Sequence, residues 1–245
     1  MMQRVRGICF GLLTTLAIAG FAGQAAAAAA PAERFEVTSL KAVRPNIVNM
    51  VTAVQQKNLA RAKAAYQAYD SAWNGIEVYI NTRNKDVYNL LELDLQARIS
   101  KGLTAPTPDF ATLTADTQTL LAKYDDAVKM VASSPPLNAL YDDIARLRIV
   151  RAPLREVVPD LKEGKVAEAR KSYEAFDSKW DSIEDLIKAR SEDAYVAIEK
   201  GMIQLEQALM PDKPDVAQVT ALVTTVNTQY NAALAEVTKE ARAAK

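Results

Sequence analysis

An internal repeat is the sequence feature that most restricts the fold of this chain. Residues 40–92 align with residues 147–199 without a gap, and 18 of the 53 aligned positions are identical. Identity of that extent in a single register indicates a tandem duplication. A residue that is kept in both copies then belongs either to a core that the copies share or to a site that they share.

The repeated pattern has the period of an amphipathic helix. Its apolar residues recur three or four positions apart, as in Tyr173, Phe176, Trp180 and Ile183, and the first copy has the same spacing. The chain also has only 8 Gly and 10 Pro in 245 residues, a composition that favours helices. We therefore predict an all-α fold, built as a tandem duplication of an antiparallel helical bundle with long central helices.

Segments rich in Gly, Pro and Ser divide the chain into predicted helices. These helices span residues 38–56, 58–101, 109–131, 137–162, 165–209 and 215–242. Asp109 and Asp215 each follow a proline, at positions where their side chains can cap the last helix of a copy. The prolines and serines at 133–136 separate helical repeat 1, residues 37–132, from helical repeat 2, residues 136–243.

The longest predicted helices leave an alternative open. The apolar stripe keeps its phase across Arg83 and across Arg190, and no Gly or Pro lies there. This pattern favours continuous helices in both copies. A tight turn capped by Asn84 or Ser191 is the competing interpretation, and it would make each repeat a four-helix bundle instead of a three-helix bundle.

The first 28 residues are typical of a secretory signal peptide. Arg4 and Arg6 precede an apolar stretch over residues 8–21, and small residues follow, with predicted cleavage near residues 26–30. An uncleaved membrane anchor is the alternative, although a membrane span needs roughly 20 apolar residues. The sequence thus predicts a periplasmic protein with no membrane span after cleavage.

Composition excludes several classes of chemistry. The chain has no histidine, and Cys9, inside the predicted signal peptide, is its one cysteine. A Ser-His-Asp triad, a catalytic Cys-His pair and a histidine zinc site are therefore ruled out. Lys and Arg number 30, as do Asp and Glu, which provides no basic surface for nucleic acid. We predict no enzymatic activity and no nucleic-acid partner.

Carboxylates are the remaining candidates for a site. Four pairs of acids recur at the same spacing in the two copies. Three of them are the candidate ligands, Asp70 with Asp177, Glu77 with Glu184, and Glu92 with Glu199, and the fourth is Asp86 with Asp193. Oxygen ligands of this kind suit hard cations such as iron, manganese or calcium.

A structural role is the alternative for the same acids. Acids beside an apolar seam commonly pair with basic residues of a neighbouring helix. Arg44 with Arg151, and Arg83 with Arg190, also recur in the two copies and would be those partners.

The second copy resembles a region of known proteins. Residues 173–184 (YEAFDSKWDSIE), followed by Arg190, Tyr195 and Glu199, resemble a helical extracytoplasmic region that accompanies bacterial high-affinity iron permeases of the ferric-transport family. The resemblance implies a role in iron acquisition and points to Glu184 and Glu199, with their counterparts in the first copy. This chain has neither the Arg-Glu-x-x-Glu motif nor the membrane helices of such permeases, so the resemblance does not extend to transport.

Two functions follow as predictions from different classes. The first is an exported accessory protein that binds iron or another hard cation and has a membrane iron-uptake complex as its partner. The second is a structural or protein-interaction module of the cell envelope with no ligand of its own.

Overall fold

The computed structural model describes residues 33–244, and every regular element in that part of the chain is a helix. The all-α class is thereby confirmed. The predicted signal peptide at residues 1–28 lies outside the described residues. Within residues 33–244, no helix combines the length and the apolar character that a membrane crossing requires.

Repeat 1 contains six α-helices and one π-helical stretch. They are α1 (Phe35–Gln55), α2 (Leu59–Ile76), α3 (Val78–Asn81), α4 (Lys85–Asn89), the π-helix (Leu90–Gln96), α5 (Ala97–Thr104) and α6 (Phe110–Ser133). Asp109 caps α6, since its carboxylate accepts hydrogen bonds from the backbone N–H groups of Ala111 and Thr112 at 2.9 and 3.3 Å.

Repeat 2 contains five α-helices. They are α7 (Leu140–Lys162), α8 (Val166–Trp180), α9 (Glu184–Lys188), α10 (Glu192–Leu209) and α11 (Val216–Ala243). Asp215 caps α11 in the way that Asp109 caps α6, by accepting from the backbone N–H groups of Ala217 and Gln218. Both capping predictions are therefore confirmed.

The prediction of continuous central helices is wrong, and the alternative, a turn capped by Asn84 or Ser191, is correct. In repeat 1, α3 ends at Asn81 and α4 begins after Asn84. The side-chain oxygen of Asn84 accepts hydrogen bonds from the N–H groups of Asp86 and Val87 at 3.1 and 3.0 Å. In repeat 2 the Ser191 hydroxyl accepts from the N–H group of Ala194 at 3.1 Å. Such caps satisfy the free amides of a new helix and so compete with continuation.

The arginine before each cap ends the preceding helix. Arg83 donates to the carbonyl oxygen of Tyr79 at 3.0 Å, and Arg190 donates to that of Leu186 at 2.7 Å. A cation at the C-terminus of a helix is favoured because it faces free carbonyls. The apolar stripe continues across these breaks because the helices on both sides of each turn pack on the same core, so the sequence pattern does not reveal them.

Each repeat is stabilised by internal contacts that have a counterpart in the other repeat. The ring of Trp73 stacks on that of Tyr88 with centroids 6.4 Å apart, and Trp180 stacks on Tyr195 at the same distance. In both repeats a buried tyrosine of the last helix donates to a carbonyl of the first: Tyr124 to Leu40 at 2.7 Å, and Tyr230 to Leu147 at 2.6 Å. The duplication predicts contacts of this kind, although common origin itself stays a prediction.

Repeat 1 has one residue more than repeat 2 in the segment before its last helix, and the π-helix accommodates this extra residue. Glu92 and the cap Asp109 are 17 positions apart, whereas Glu199 and Asp215 are 16 apart. A π-helix is the form that an α-helix takes around one extra residue. The π-helix covers Leu90–Gln96, while the matching part of α10 is regular.

Helices α2 and α7 join the repeats into one compact unit. The two helices are tightly packed at Gly75, where a Cβ atom would lie 2.6 Å from the Cγ1 atom of Ile149. Only glycine leaves room for the isoleucine at that distance.

Candidate functional site

Two of the six predicted site residues bind the central tryptophans. The carboxylate of Glu92 accepts a hydrogen bond from the Trp73 indole N–H, and that of Glu199 accepts one from Trp180. Both tryptophans are buried, as the sequence predicts for core residues. A buried indole N–H needs an acceptor, so these two glutamates have a structural task in each repeat.

Glu77 forms an ion pair with the other repeat. Its Oε1 atom lies 2.9 Å from a guanidinium nitrogen of Arg148 on α7. Burial raises the pKa of Glu77 above its usual value, and Arg148 counters part of that rise. The prediction that acids pair across helices holds here, but with a basic residue that was not among those expected.

The four expected arginines contact other groups instead. Arg44 pairs with Asp125 at 2.7 Å, Arg190 pairs with Glu240 at 3.0 Å, and Arg83 pairs with the buried Glu36. Arg151 donates to Asn231. The expectation that these arginines pair with the six candidate acids is therefore wrong.

The remaining predicted acids differ between the repeats. Asp70 is half-buried, and burial raises its pKa, while the positive charge of Arg155 lowers it in part. Its counterpart Asp177 is exposed. Glu184 is half-buried at the first position of α9.

Acids in repeat 1 are close enough to affect one another. The negative charge of Asp70 raises the pKa of Glu92, and that of Glu92 raises the pKa of Glu77, in each case after the larger effect of burial. Even so, no three Asp, Glu, His or Cys side chains within residues 33–244 surround a single point as metal ligands would.

Repeat 1 also contains polar core atoms that repeat 2 lacks. Tyr69 and Gln96 are 0 % and 2 % exposed, and the Tyr69 hydroxyl and Gln96 Oε1 have no hydrogen-bond partner in the described part of the protein. The gapless alignment places Phe176 opposite Tyr69. Met202 takes the place of Gln96, because the backbone carbonyls of both accept a hydrogen bond from equivalent tyrosines, Tyr173 and Tyr66. Buried polar atoms normally have a hydrogen-bond partner. The core of repeat 1 therefore has polar atoms that need a partner, whereas repeat 2 has apolar side chains at the same places.

A groove between the repeats is a second candidate site, and the sequence analysis missed it. Its volume is about 1020 Å³, and its walls belong to α1 and α2 of repeat 1 and to α7 and α8 of repeat 2. Along α7 it extends from Arg146 to Asp160, about 14 residues or 21 Å at a helical rise of 1.5 Å.

Small residues line much of this groove. They include Ser39, Ala42, Ala64, Ala68, Ala72 and Ala175, together with the larger apolar side chains of Ile149 and Ile183. Short side chains let another backbone approach closely, so the groove can admit a bulky element.

The two ends of the groove carry opposite charge. One end contains Arg146, whose guanidinium lies 4.7 Å from the centre of the Phe35 ring, and Lys179. The other end contains Glu156, Asp160 and Glu168, with Lys171 as the one cation among them on the groove lining.

The groove exists because helices α1 and α8 are not packed against each other, whereas the equivalent pair, α2 and α7, is. By the repeat alignment, α8 with α1 corresponds to α2 with α7. The α2–α7 contact is close, whereas α8 and α1 face the same groove without comparable packing.

Comparison of the two aligned copies could have revealed this. Ala64, Ala72 and Gly75 of α2 correspond to Lys171 and Lys179 of α8 and to Ser182 in the turn after α8. Large charged residues in place of small ones indicate that this face of α8 is not packed against another helix.

Comparison with known proteins finds no matching family model, no matching curated protein and no matching solved structure. The resemblance to the region that accompanies iron permeases therefore stays a prediction.

Proposed function

We propose that the protein is a non-enzymatic binding module of the bacterial periplasm, whose inter-repeat groove receives a helix of a partner protein. The open groove between α1 and α8 is the observation that carries the proposal, because the equivalent contact between α2 and α7 is filled by protein. The signal-like first 28 residues support export.

The dimensions of the groove match a helix. A length of about 21 Å accommodates roughly four helical turns of 5.4 Å, and amphipathic helices dock in grooves with an apolar face directed inwards. Ala68, Ala72 and Ala175 would lie under such a helix and allow a short interaxial distance.

The charges of the groove define the partner further. A complementary helix carries acidic residues at the end that contacts Arg146 and Lys179, and basic residues at the end that contacts Asp160 and Glu168. Complementary charge mainly sets orientation and association rate, so this pattern fixes the direction in which the helix lies. A subunit of a membrane iron-uptake complex is the partner that the resemblance favours.

A groove-filling variant tests this function. Ala68→Trp places a large ring in the groove, whereas the matched variant Ala221→Trp places the same ring on an exposed face of α11. We expect a photo-crosslinker at position 68, but not at 221, to capture a protein through one of its helices. A peptide of that helix should bind the purified protein and Ala221→Trp, and should lose at least tenfold in affinity for Ala68→Trp. Equal binding to both variants would exclude the groove.

Cation binding is the second candidate function, and it is favoured by the half-buried acids of repeat 1, where the charge of Asp70 raises the pKa of Glu92 and that of Glu92 raises the pKa of Glu77. A bound cation would stabilise the charged form of half-buried acids that lie near each other, such as Asp70 and Glu92. The resemblance suggests iron acquisition as its context.

Metal analysis of the purified protein tests this candidate. We expect iron, manganese or calcium in stoichiometric amount, and a loss of that metal when Asp70→Asn is combined with Glu92→Gln. Protein that is metal-free after preparation and shows no affinity for added iron would argue against it.

A further inference from the structure

Two of the buried polar groups without partners in repeat 1, the Tyr69 hydroxyl and the Gln96 amide oxygen, lie beside the same carboxylate. Gln96 donates through Nε2 to Oε2 of Glu92 at 2.9 Å, and the Tyr69 hydroxyl lies close enough to Glu92 and Asp70 for their charges to act on it. Rotating the Gln96 amide exchanges its oxygen and nitrogen but still leaves one atom without a partner.

Glu92 has a free oxygen at this place. Its Oε2 atom accepts from Gln96 and from Trp73, while Oε1 makes no hydrogen bond to any residue of 33–244. Arg148 is next to Glu77 and Arg155 is near Asp70, but no basic side chain is among the groups that act on Glu92.

The extra residue of the π-helix creates this arrangement. Tyr66 donates to the carbonyl oxygen of Gln96 at 3.4 Å, and its counterpart Tyr173 donates to that of Met202 at 2.8 Å. Gln96 thus occupies the place of Met202, but it is four residues from Glu92 instead of three from Glu199, which brings its amide to the carboxylate.

We propose that repeat 1 binds one hard divalent cation at Glu92, Gln96, Tyr69 and Asp70, and that repeat 2 has no such site. Two carboxylates balance the charge of the ion, and the amide oxygen and the hydroxyl are neutral oxygen ligands of the kind that Ca²⁺ and Mn²⁺ accept. The set contains only two acids, so it differs from a cluster of three or more acids. In repeat 2, Phe176 and Met202 remove both neutral ligands.

This inference rests on the second candidate function and restricts it to one ion, one repeat and one set of ligands. It is independent of the groove, whose lining residues are different.

Repeat 2 itself supplies the test variant. Tyr69→Phe with Gln96→Met gives repeat 1 the residues of repeat 2, and Glu92→Gln removes the free carboxylate separately. Glu199→Gln is the matched control, because it changes the equivalent tryptophan acceptor in repeat 2. Circular dichroism establishes that each full-length variant is folded.

The measurements are calorimetric titration and thermal unfolding with CaCl₂, MnCl₂ and MgCl₂ after chelator treatment. We expect one Ca²⁺ or Mn²⁺ per chain and a rise in Tm of about 5 °C at a hundredfold excess over Kd. The double variant and Glu92→Gln should lose at least tenfold in affinity, and Glu199→Gln should bind as the unchanged protein does.

Three results would overturn the proposal. The first is no response to any of these ions, which means that water alone fills the place and which also removes divalent cations from the second candidate function. The second is undiminished binding by the double variant, which keeps cation binding but places it elsewhere. The third is equal loss in Glu199→Gln, which means that the effect comes from the tryptophan contact and not from a ligand.

Discussion

At the scale of single residues, equivalent positions of the two repeats make different contacts. Glu92 and Glu199 both accept from a buried indole, but only Glu92 has a buried amide beside it. Gly75 and Ser182 also occupy equivalent positions, and only Gly75 lies under an isoleucine of the other repeat. The alignment identifies such pairs, while the contacts that each residue makes depend on which face is covered.

Gly75→Ala should destabilise the protein by about 1–3 kcal/mol, because the added Cβ atom would overlap Ile149 in a packed contact. Urea denaturation measures the free energy of unfolding. Ser182→Ala is the control at the equivalent position, in the exposed turn after α8, and should change it by less than about 0.5 kcal/mol, as for other surface substitutions.

A second change separates this contact from helix propensity. Ile149→Ala removes the overlapping atoms, so Gly75→Ala in that background should cost little or should stabilise the helix. An equal cost in both backgrounds would show that the overlap is not the cause.

At the scale of elements, the sequence predicts where most helices lie but not where the central ones break. The positions of α1, α6, α7 and α11 follow from apolar spacing, proline positions and the capping aspartates. The sequence predicts the breaks at Asn84 and Ser191 only as an alternative. Hydrophobic periodicity does not reveal a turn when the helices on both sides of it pack on the same core. The π-helix could have been predicted by counting 17 and 16 residues in the two copies.

Asn84→Ala and Ser191→Ala should each cost about 1 kcal/mol of stability, the usual effect of losing an N-cap. In a continuous helix the same substitutions would be stabilising, because alanine is the better helix former. Thermal unfolding therefore distinguishes the two structures by the sign of the change. Asn49→Ala, an exposed position within α1, is the control for the effect of alanine alone.

Deleting Leu93 should be tolerated, because it removes the extra residue and converts the π-helix to an α-helix. Leu93 is 65 % exposed, so its side chain contributes little to the core. The folded protein should keep its helical circular dichroism but lose the cation response proposed for repeat 1.

The matched deletion in repeat 2 should have the opposite outcome. Val196 is also exposed, but it lies in the regular helix α10. Its removal would rotate the rest of that helix by about 100° relative to the core. Equal tolerance of both deletions would contradict the role given to the π-helix.

At the scale of the whole molecule, all-α architecture and repetition were accessible from the sequence, whereas the groove was not. Its formation depends on how two repeats meet, and hydrophobic periodicity describes each helix only against its own core. The candidate acids follow from their recurrence in the sequence, but the pairing of Glu77 with Arg148 depends on the same contact between repeats. Long-range geometry therefore decides both features.

Stability should be greatest in mildly acidic solution. Asp70, Glu77 and Glu92 have raised pKa values in the folded protein, so folding binds protons above the ordinary values of 3.8 and 4.5, and Tm should rise as the pH falls from 7 towards 5. Hydrogen bonds lower the pKa of Asp109 and Asp125. Their stabilising effect is present above 3.8 and should be lost at lower pH.

Two substitutions separate these opposing effects. Asp70→Asn should flatten the change in Tm between pH 7 and 5, whereas Asp125→Asn should lower Tm at neutral pH and flatten its fall below pH 4. A Tm that decreases steadily from pH 7 to 5 would contradict the assignment of the raised groups.

The open side of the contact between repeats has a consequence for how such a protein can arise. Two identical single-repeat chains associating about a two-fold axis would have both sides closed or both sides open, since symmetry makes them equal. One polypeptide carrying both copies is free of that requirement, and substitutions such as Ala72 against Lys179 can open one side while the other holds the pair together. Covalent fusion thus permits a single asymmetric cleft that a homodimer of either half is unable to form.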